Sequence, residues 1–359
     1  MQTVVITKKT NKDLKNIEIK MNKMLNKMNN LFNKQFKAME DQILEIEDKI
    51  DEIEQKLWPD YFYIEAVNDN TIVRPEIEGT GYLKYTKTPD NDSSWTDIGS
   101  LEDINLNADE KVYFHGNLTP AQESGGGDTY AVKFHATDYI RCGGNVYYIA
   151  DEDGKLTKSY QCAHLFDGCD YLMNAPELPA TTLTNNCYDS MFKDALYGLG
   201  LSFTPPALPA TTLADFCYSQ MFSGTHLASV PELPATTLAR YCYYYMFAGT
   251  SITTAPELPA TTLAQYCYCG MFSNTGITTA PELPALTLVP NCYDETFKGC
   301  QYLNYIKCLA TTMTDPMASY TYEWLQGVAA TGTFVKNAEV THWTTGESGI
   351  PVGWTIINA

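Results

Sequence analysis

Eleven cysteines, five histidines and 43 acidic residues give this 359-residue sequence its capacity for chemistry. Cysteines can ligate zinc, close disulfides or attack an acyl carbon, and position decides among these. Cys187, Cys217, Cys242, Cys267 and Cys292 occupy one place in a repeat, which predicts a ladder of small apolar thiols stacked inside the fold. Cys267-x-Cys269 lacks the spacing and partners of a zinc site, so neither metal nor cofactor is expected. Glu177, Glu232, Glu257 and Glu282 form a second column, with Ala207 in place of one member. Two separated carboxylates can do acid–base work, but a column produced by repetition is not evidence for it. It reads as a solvated face, with a partner, glycan or cation contact as the alternative. Tyr188, Tyr218, Tyr243, Tyr268 and Tyr293 each follow a column cysteine and are expected to point partly outward, with Tyr244 and Tyr245 thickening the stripe. Exposed aromatic rings stack on sugars or anchor protein partners; lateral packing between adjacent helices is the favoured use. His115 and His135 lie in strand-like runs and read as hydrogen-bonded structure. No residue stands out as catalytic, and an enzyme is not expected.

Charge narrows the partners. With 24 basic residues against 43 acidic ones the net charge is −19, which disfavours nucleic acid and anionic membrane surfaces. No apolar run is long enough for a transmembrane helix, so membrane insertion is not expected. The start, MQTVVITKKTNKDLKN, lacks the apolar core and cleavage site of a secretory leader.

The elements that must position these columns begin with the repeat itself. LPATTL starts at Leu178, Leu208, Leu233 and Leu258, LPALTL at Leu283, and a degraded CLATTM at Cys308. Phe192, Phe222, Phe247, Phe272 and Phe297 keep step with the cysteines. Each unit reads as an extended segment around Ala255–Leu258, then a short helix capped by Thr261 or Thr262. Leu263, Cys267, Met271 and Phe272 would share one helical face. One unit cannot bury that face alone, so the units are expected to stack as a leucine-rich-repeat solenoid. Five extra residues in Asp194–Phe203 predict a bulged loop.

Upstream, apolar residues recur every three or four places at Leu14, Ile17, Met21, Met24, Met28, Phe32, Phe36, Met39, Ile43, Ile46, Ile50, Ile53 and Leu57. This is a heptad seam with one stutter near Phe32, and it predicts a coiled coil. Ile at both seam positions favours a trimer, so Phe36, Met39, Ile43, Ile46, Ile50, Ile53 and Leu57 are the expected oligomerisation residues of a homo-oligomer. Between seam and repeats the pattern alternates, with candidate strands at Tyr61–Val67, Gly81–Thr86, Lys111–Gly116, Tyr130–His135 and Val146–Ile149. The turn-forming Pro89-Asp90-Asn91-Asp92 and Gly125–Gly127 separate them. The expected fold is therefore multidomain: an N-terminal attachment tail (1–13), an α-helical coiled-coil stalk (14–58), a small all-β domain (59–150), a leucine-rich-repeat α/β solenoid (151–325) and a β cap (326–359).

The repeat resembles the BspA-like leucine-rich repeats of Bacteroides and Treponema surface proteins. The likeness spans Leu156–Tyr322 and rests on the F-x-x-C element (Phe166 with Cys169, Phe297 with Cys300) and the LPATTL–C–MF core. Thr225, Thr250 and Thr275 depart from it, standing where that family often has Cys. The end, GTFVKNAEVTHWTTGESGIPVGWTII, is similar to the segment found after such repeats in gut Bacteroidales and their phages. The resemblance implies extracellular recognition of a surface rather than catalysis. Combined with the domain order, it gives the expectation of a bacteriophage virion fibre protein on the particle exterior. Its N-terminal segment would meet other virion proteins, and its solenoid would bind a host-surface glycan or protein through Tyr218, Tyr243, Tyr244, Tyr245, Tyr268, Glu232, Glu257 and Glu282. The alternative is a BspA-type bacterial cell-surface adhesin.

Overall fold

In a computed structural model of the chain, the residues described are 15, 18–39, 42, 43, 46, 60–89, 94–120, 129–195, 204–227, 229–313, 319–340 and 343–359. The chain divides into two compact units, Met1–Pro59 and Asp60–Ala359.

In the first unit, α1 runs over residues 18–39 and every one of its residues is exposed. Met21, Met24, Met28 and Phe32 are 63–67% exposed, and Phe36 and Met39 are 50% and 55%. A coiled-coil seam needs a facing helix to receive its side chains. No other α-helix of comparable length exists among the described residues, so these form no coiled coil, and α1 stands alone with its apolar stripe exposed. Ile43 and Ile46 are likewise exposed; Ile50, Ile53 and Leu57 lie outside the described residues, as does the 1–13 tail.

The second unit opens with two antiparallel sheets. One has the order β4-β3-β6-β1-β8, built from β1 (Phe62–Ala66), β3 (Leu83–Thr86), β4 (Thr96–Asp97), β6 (Lys111–Gly116) and β8 (Ile140–Gly143). The other has the order β5-β2-β7, built from β2 (Thr71–Ile77), β5 (Ile104–Leu106) and β7 (Val132–Ala136). Alternation decides which side chains enter: Phe62, Ile64 and Ala66 from β1, Val112 and Phe114 from β6, all fully buried. Val146–Ile149, expected as a strand, is a 3-10 turn capped by Asn145, whose side chain accepts from the Tyr147 N–H. The loops at residues 90–92 and 125–127 lie outside the described residues.

Among the described residues the repeats contain no helix, which corrects the expected α/β leucine-rich solenoid. Each LPATTL leads instead into a ribbon of consecutive turns. In the coil at 186–194, the N–H groups of Asn186, Tyr188, Ser190, Phe192 and Asp194 donate to carbonyls of the next coil (Asp215, Cys217, Ser219, Met221, Ser223) at 2.8–3.1 Å. The intervening N–H groups of Cys187, Asp189, Met191, Lys193 and Ala195 donate back three residues within their own coil. Alternate peptides thus serve the ladder and the local turn, so the ribbon's buried backbone donors are paired without a helix. Every fourth residue takes positive φ: Asn186 (56°), Ser190 (52°) and Asp194 (53°), then Phe216, Gln220 and Gly224, then Tyr241, Tyr245 and Gly249. Such corners cannot occur within an α-helix, and they make the repeat four residues per turn rather than 3.6.

With four residues per turn, two neighbours in every four face inward. Cys187–Tyr188 and Met191–Phe192 are 0–1% exposed, and the same pairs recur in later coils. Phe166, Phe192, Phe222, Phe247, Phe272 and Phe297 stack at 5.6–5.9 Å with rings within 9° of parallel. The column tyrosines stack beside them from Tyr188 to Tyr293 at 5.7–5.9 Å. Fully burying one such side chain stabilises by about 1.5–3 kcal/mol, while ordering each backbone residue costs about 1–2 kcal/mol. The few buried side chains of one 25-residue coil therefore do not offset the entropy of ordering it, and stacking is obligatory.

Both ends of the stack are continued by other structure. At the start, Phe62, Phe114 and Phe134 of the β sheets pack on each other, and Phe62 and Phe134 reach Phe166; the Tyr147 and Tyr188 hydroxyls are hydrogen-bonded. At the end, β10 (Thr333–Lys336) pairs in parallel with β9 (Tyr305–Cys308), and β11 (Thr355–Asn358) with β10. The tyrosine column passes through Trp324 to Trp343, which stack at 5.6 Å.

Candidate recognition surface

Two surfaces of the coils carry the residues singled out from sequence. The first is the extended face. In Pro256–Thr261 exposure alternates, with Pro256, Leu258 and Ala260 buried and Glu257, Pro259 and Thr261 outward. Glu177, Glu232, Glu257 and Glu282 are all exposed. They are not equivalent: Glu282 accepts from Lys307 Nζ at 2.8 Å, whereas Glu232 and Glu257 flank a groove of about 290 Å³ bounded by Pro231, Pro234, Pro256 and Pro259. A larger groove of about 460 Å³ lies where the Glu column is broken, between Pro176–Pro179 and Pro205–Pro209, with Ala207 in its wall. Proline lacks the N–H that would zip neighbouring segments together, and the grooves run along these proline-rich stretches.

The second surface is the outer edge of the turn ribbon. Tyr218, Tyr243 and Tyr268, expected to point partly outward, are 1–2% exposed. On a helix the residue after a buried one turns about 100° away; on the four-residue ribbon it goes inside with its neighbour. Burial drives their phenolic pKa values well above the ordinary range, and these three cannot meet a ligand from within the core. Tyr244 and Tyr245 do reach the surface and are half-buried.

The surface aromatics that sequence reasoning missed occupy the left-handed corner just before each column cysteine. Phe216, Tyr241 and Tyr266, all half-buried, stack at 4.4 and 4.6 Å with rings within 9° of parallel. Tyr244 meets Tyr241 edge-on at 5.5 Å and Tyr245 at 4.6 Å. The Arg240 guanidinium sits 5.9 Å from the Tyr241 ring centre. The signal was available: Asn186, Phe216, Tyr241, Tyr266 and Asn291 recur in step with the cysteines, but a helical reading gave that position no special role.

Tyr245 is fixed from two sides. Its hydroxyl donates to Glu295 Oε2, two coils away, and burial followed by that bond raises its pKa far above the usual phenol value. Beneath it lies Gly270, at φ 63°; a Cβ there would come within 2.4–2.5 Å of three Tyr245 ring atoms. Glu295 Oε1 also accepts from Lys298 Nζ at 3.2 Å, and Lys298 reaches Glu323 Oε2 at 2.6 Å. The bond to Glu323 raises the Lys298 pKa, and the same bond lowers that of Glu323.

The cysteines are all free and buried, and among the described residues no group of three or more His, Cys, Asp or Glu is placed to hold a metal. His135 Nε2 lies 2.7 Å from Glu76 Oε2, and His115 packs edge-on against Trp95. No helix among the described residues is long and apolar enough to cross a membrane. No family model, curated protein or solved structure matches the chain.

Proposed function

We propose that this chain is a structural fibre protein of a bacteriophage virion, attached by its N-terminal segment to other virion proteins and using its stacked coils to adhere to the bacterial host surface. The supporting observation is the division of labour within each coil. Interior positions repeat Cys-Tyr from Cys187 to Tyr293 and Met-Phe from Met191 to Phe272, while the half-buried corners change from Asn186 to Phe216, Tyr241, Tyr266 and Asn291, and a second corner changes from the buried Ser190 and Gly270 to the half-buried Gln220, Tyr245 and Glu295. A framework that holds its interior constant and varies its surface suits recognition, because new contacts leave the core undisturbed. The resemblance of the repeat to BspA-like surface proteins agrees with this role. Copies gathered into a homo-oligomer, a trimer in the first instance, would turn weak single contacts into avidity. Labelled full-length protein is expected to bind a panel of Bacteroidales strains saturably and strain-dependently. Binding to none of the strains would refute the adhesion role.

A further inference from the structure

We infer that the shelf formed by Tyr245, Tyr244 and Glu295 is the contact point of the coils, and that its ligand is a neutral pyranose unit of a surface glycan. The inference rests on the adhesion reading above and adds to it a place and a ligand chemistry.

A pyranose ring presents two kinds of surface, a face of C–H groups and a rim of hydroxyls. A site for it needs a flat apolar plate with polar groups at the plate's edge. Tyr245 supplies the plate: it rests on the backbone of Gly270, its hydroxyl is tied to Glu295, and it remains half-buried rather than covered. Tyr244 stands at 68° to it and forms a side wall. At the edge are the Glu295 and Glu323 carboxylates, 24% and 20% exposed, and the Lys298 ammonium, 32% exposed. Each carboxylate keeps acceptor capacity beyond the bonds it already makes, as the ammonium keeps donor capacity. These groups are tied to one another before any ligand arrives, so binding orders little.

Glycan is favoured over protein because the plate lies among charged groups rather than in the dry, fully desolvated pocket that an anchoring side chain of a protein partner needs. Neutral sugar is favoured over anionic sugar by local charge. Two carboxylates surround one ammonium, and Asp294 lies next to Glu295 in a chain of net charge −19.

The test uses the full-length chain on immobilised neutral oligosaccharides (hexose and N-acetylhexosamine) beside uronate oligosaccharides, and on adherent cells with and without periodate or protease treatment. Neutral oligosaccharides should bind and uronates should not. Tyr245→Ala should weaken binding about tenfold, the order of one well-placed aromatic contact. Tyr302→Ala, at a ring that is 65% exposed elsewhere on the surface, should leave binding unchanged. Tyr245→Phe keeps the plate and loses the tether, and with Glu295→Gln it decides the matter should the alanine variant lose its near-ultraviolet dichroism. Wild-type binding in Tyr245→Phe and Glu295→Gln together with Tyr245→Ala would overturn the site. Cell binding that survives periodate and is lost to protease would overturn the ligand class while leaving adhesion standing. Loss of all cell binding would count against adhesion itself, with the oligosaccharide arm still scoring the shelf.

Discussion

The buried thiols make the fold sensitive to alkali, and the size of the effect follows from their number. Cys162, Cys187, Cys217, Cys242, Cys267 and Cys292 are 0–1% exposed in consecutive coils. Burial is the largest cause of their raised pKa values, which reach about 12 for Cys217 and Cys267. In the unfolded chain a thiol ionises near 8.5. A folded pKa above the unfolded one means that the stabilisation is complete below about pH 8.5 and is lost as pH rises toward the folded value. At about pH 10 each unfolded thiol gains about 2 kcal/mol by ionising, so six of them favour unfolding by about 12 kcal/mol. That is comparable to the whole stability of a domain, about 5–15 kcal/mol. The expected outcome is one steep unfolding transition near pH 10, in which thiolate absorbance appears together with loss of near-ultraviolet dichroism. Replacing both Cys217 and Cys267 by Ala removes about 4 kcal/mol of this alkaline penalty at pH 10, so the fall in urea stability between neutral and alkaline pH should be shallower. Thiolates that appear gradually around pH 8.5 with the dichroism intact would refute the buried-ladder account.

Two further perturbations test the coils. Phe247→Ala removes a fully buried ring stacked at 5.8 Å on both Phe222 and Phe272; a loss of about 3–5 kcal/mol is expected, read as a lower urea midpoint and, because coils couple only to neighbours, a broader transition. Gly249 sits at φ 68° with only one atom near its would-be Cβ, at 4.0 Å, so Gly249→Val should cost about 1–2 kcal/mol through backbone conformation alone. Gly249→Asn should be nearly silent, because Asn274 already holds the equivalent corner at φ 58°.

The columns were legible in sequence because they depend only on residue type and a fixed step. Cys, Phe and Leu columns go where the repeat puts them, whatever backbone connects the positions. The backbone itself was misread because Leu263, Cys267 and Met271 are four apart, which satisfies the i, i+4 rule of a helix as well as the ribbon's period. The discriminating signal was at the corners: Gly168, Asp194, Gly224, Gly249, Asn274 and Gly299 share one column, and Gly, Asn and Asp are the residues that enter left-handed conformations most readily. A column of them every coil is incompatible with a helix crossing that position. The same error displaced the site, since a helical wheel sends Tyr218, Tyr243 and Tyr268 outward, whereas the ribbon takes them inside and leaves Phe216, Tyr241 and Tyr266 at its edge. Glu295 escaped because its partner, Tyr245, is 50 residues away. The coiled coil failed for a different reason. A heptad pattern states what a helix would accept as a partner, not that one is present.

The uniform step of the ribbon has a consequence for inheritance. Units placed end to end at a fixed step can be lost or gained whole, and one such change deletes or adds 25 residues at once. In the coils that succeed one another at that step, the peptides on either side of the join would find the same ladder partners, and the Cys, Tyr and Phe columns would close in register. The product would be one rung shorter or longer, with a different sequence of outward corners. For this molecule, losing 25 consecutive residues should be gentler than losing one ring from the middle of a column, so its length and its surface are free to vary together while its interior stays fixed.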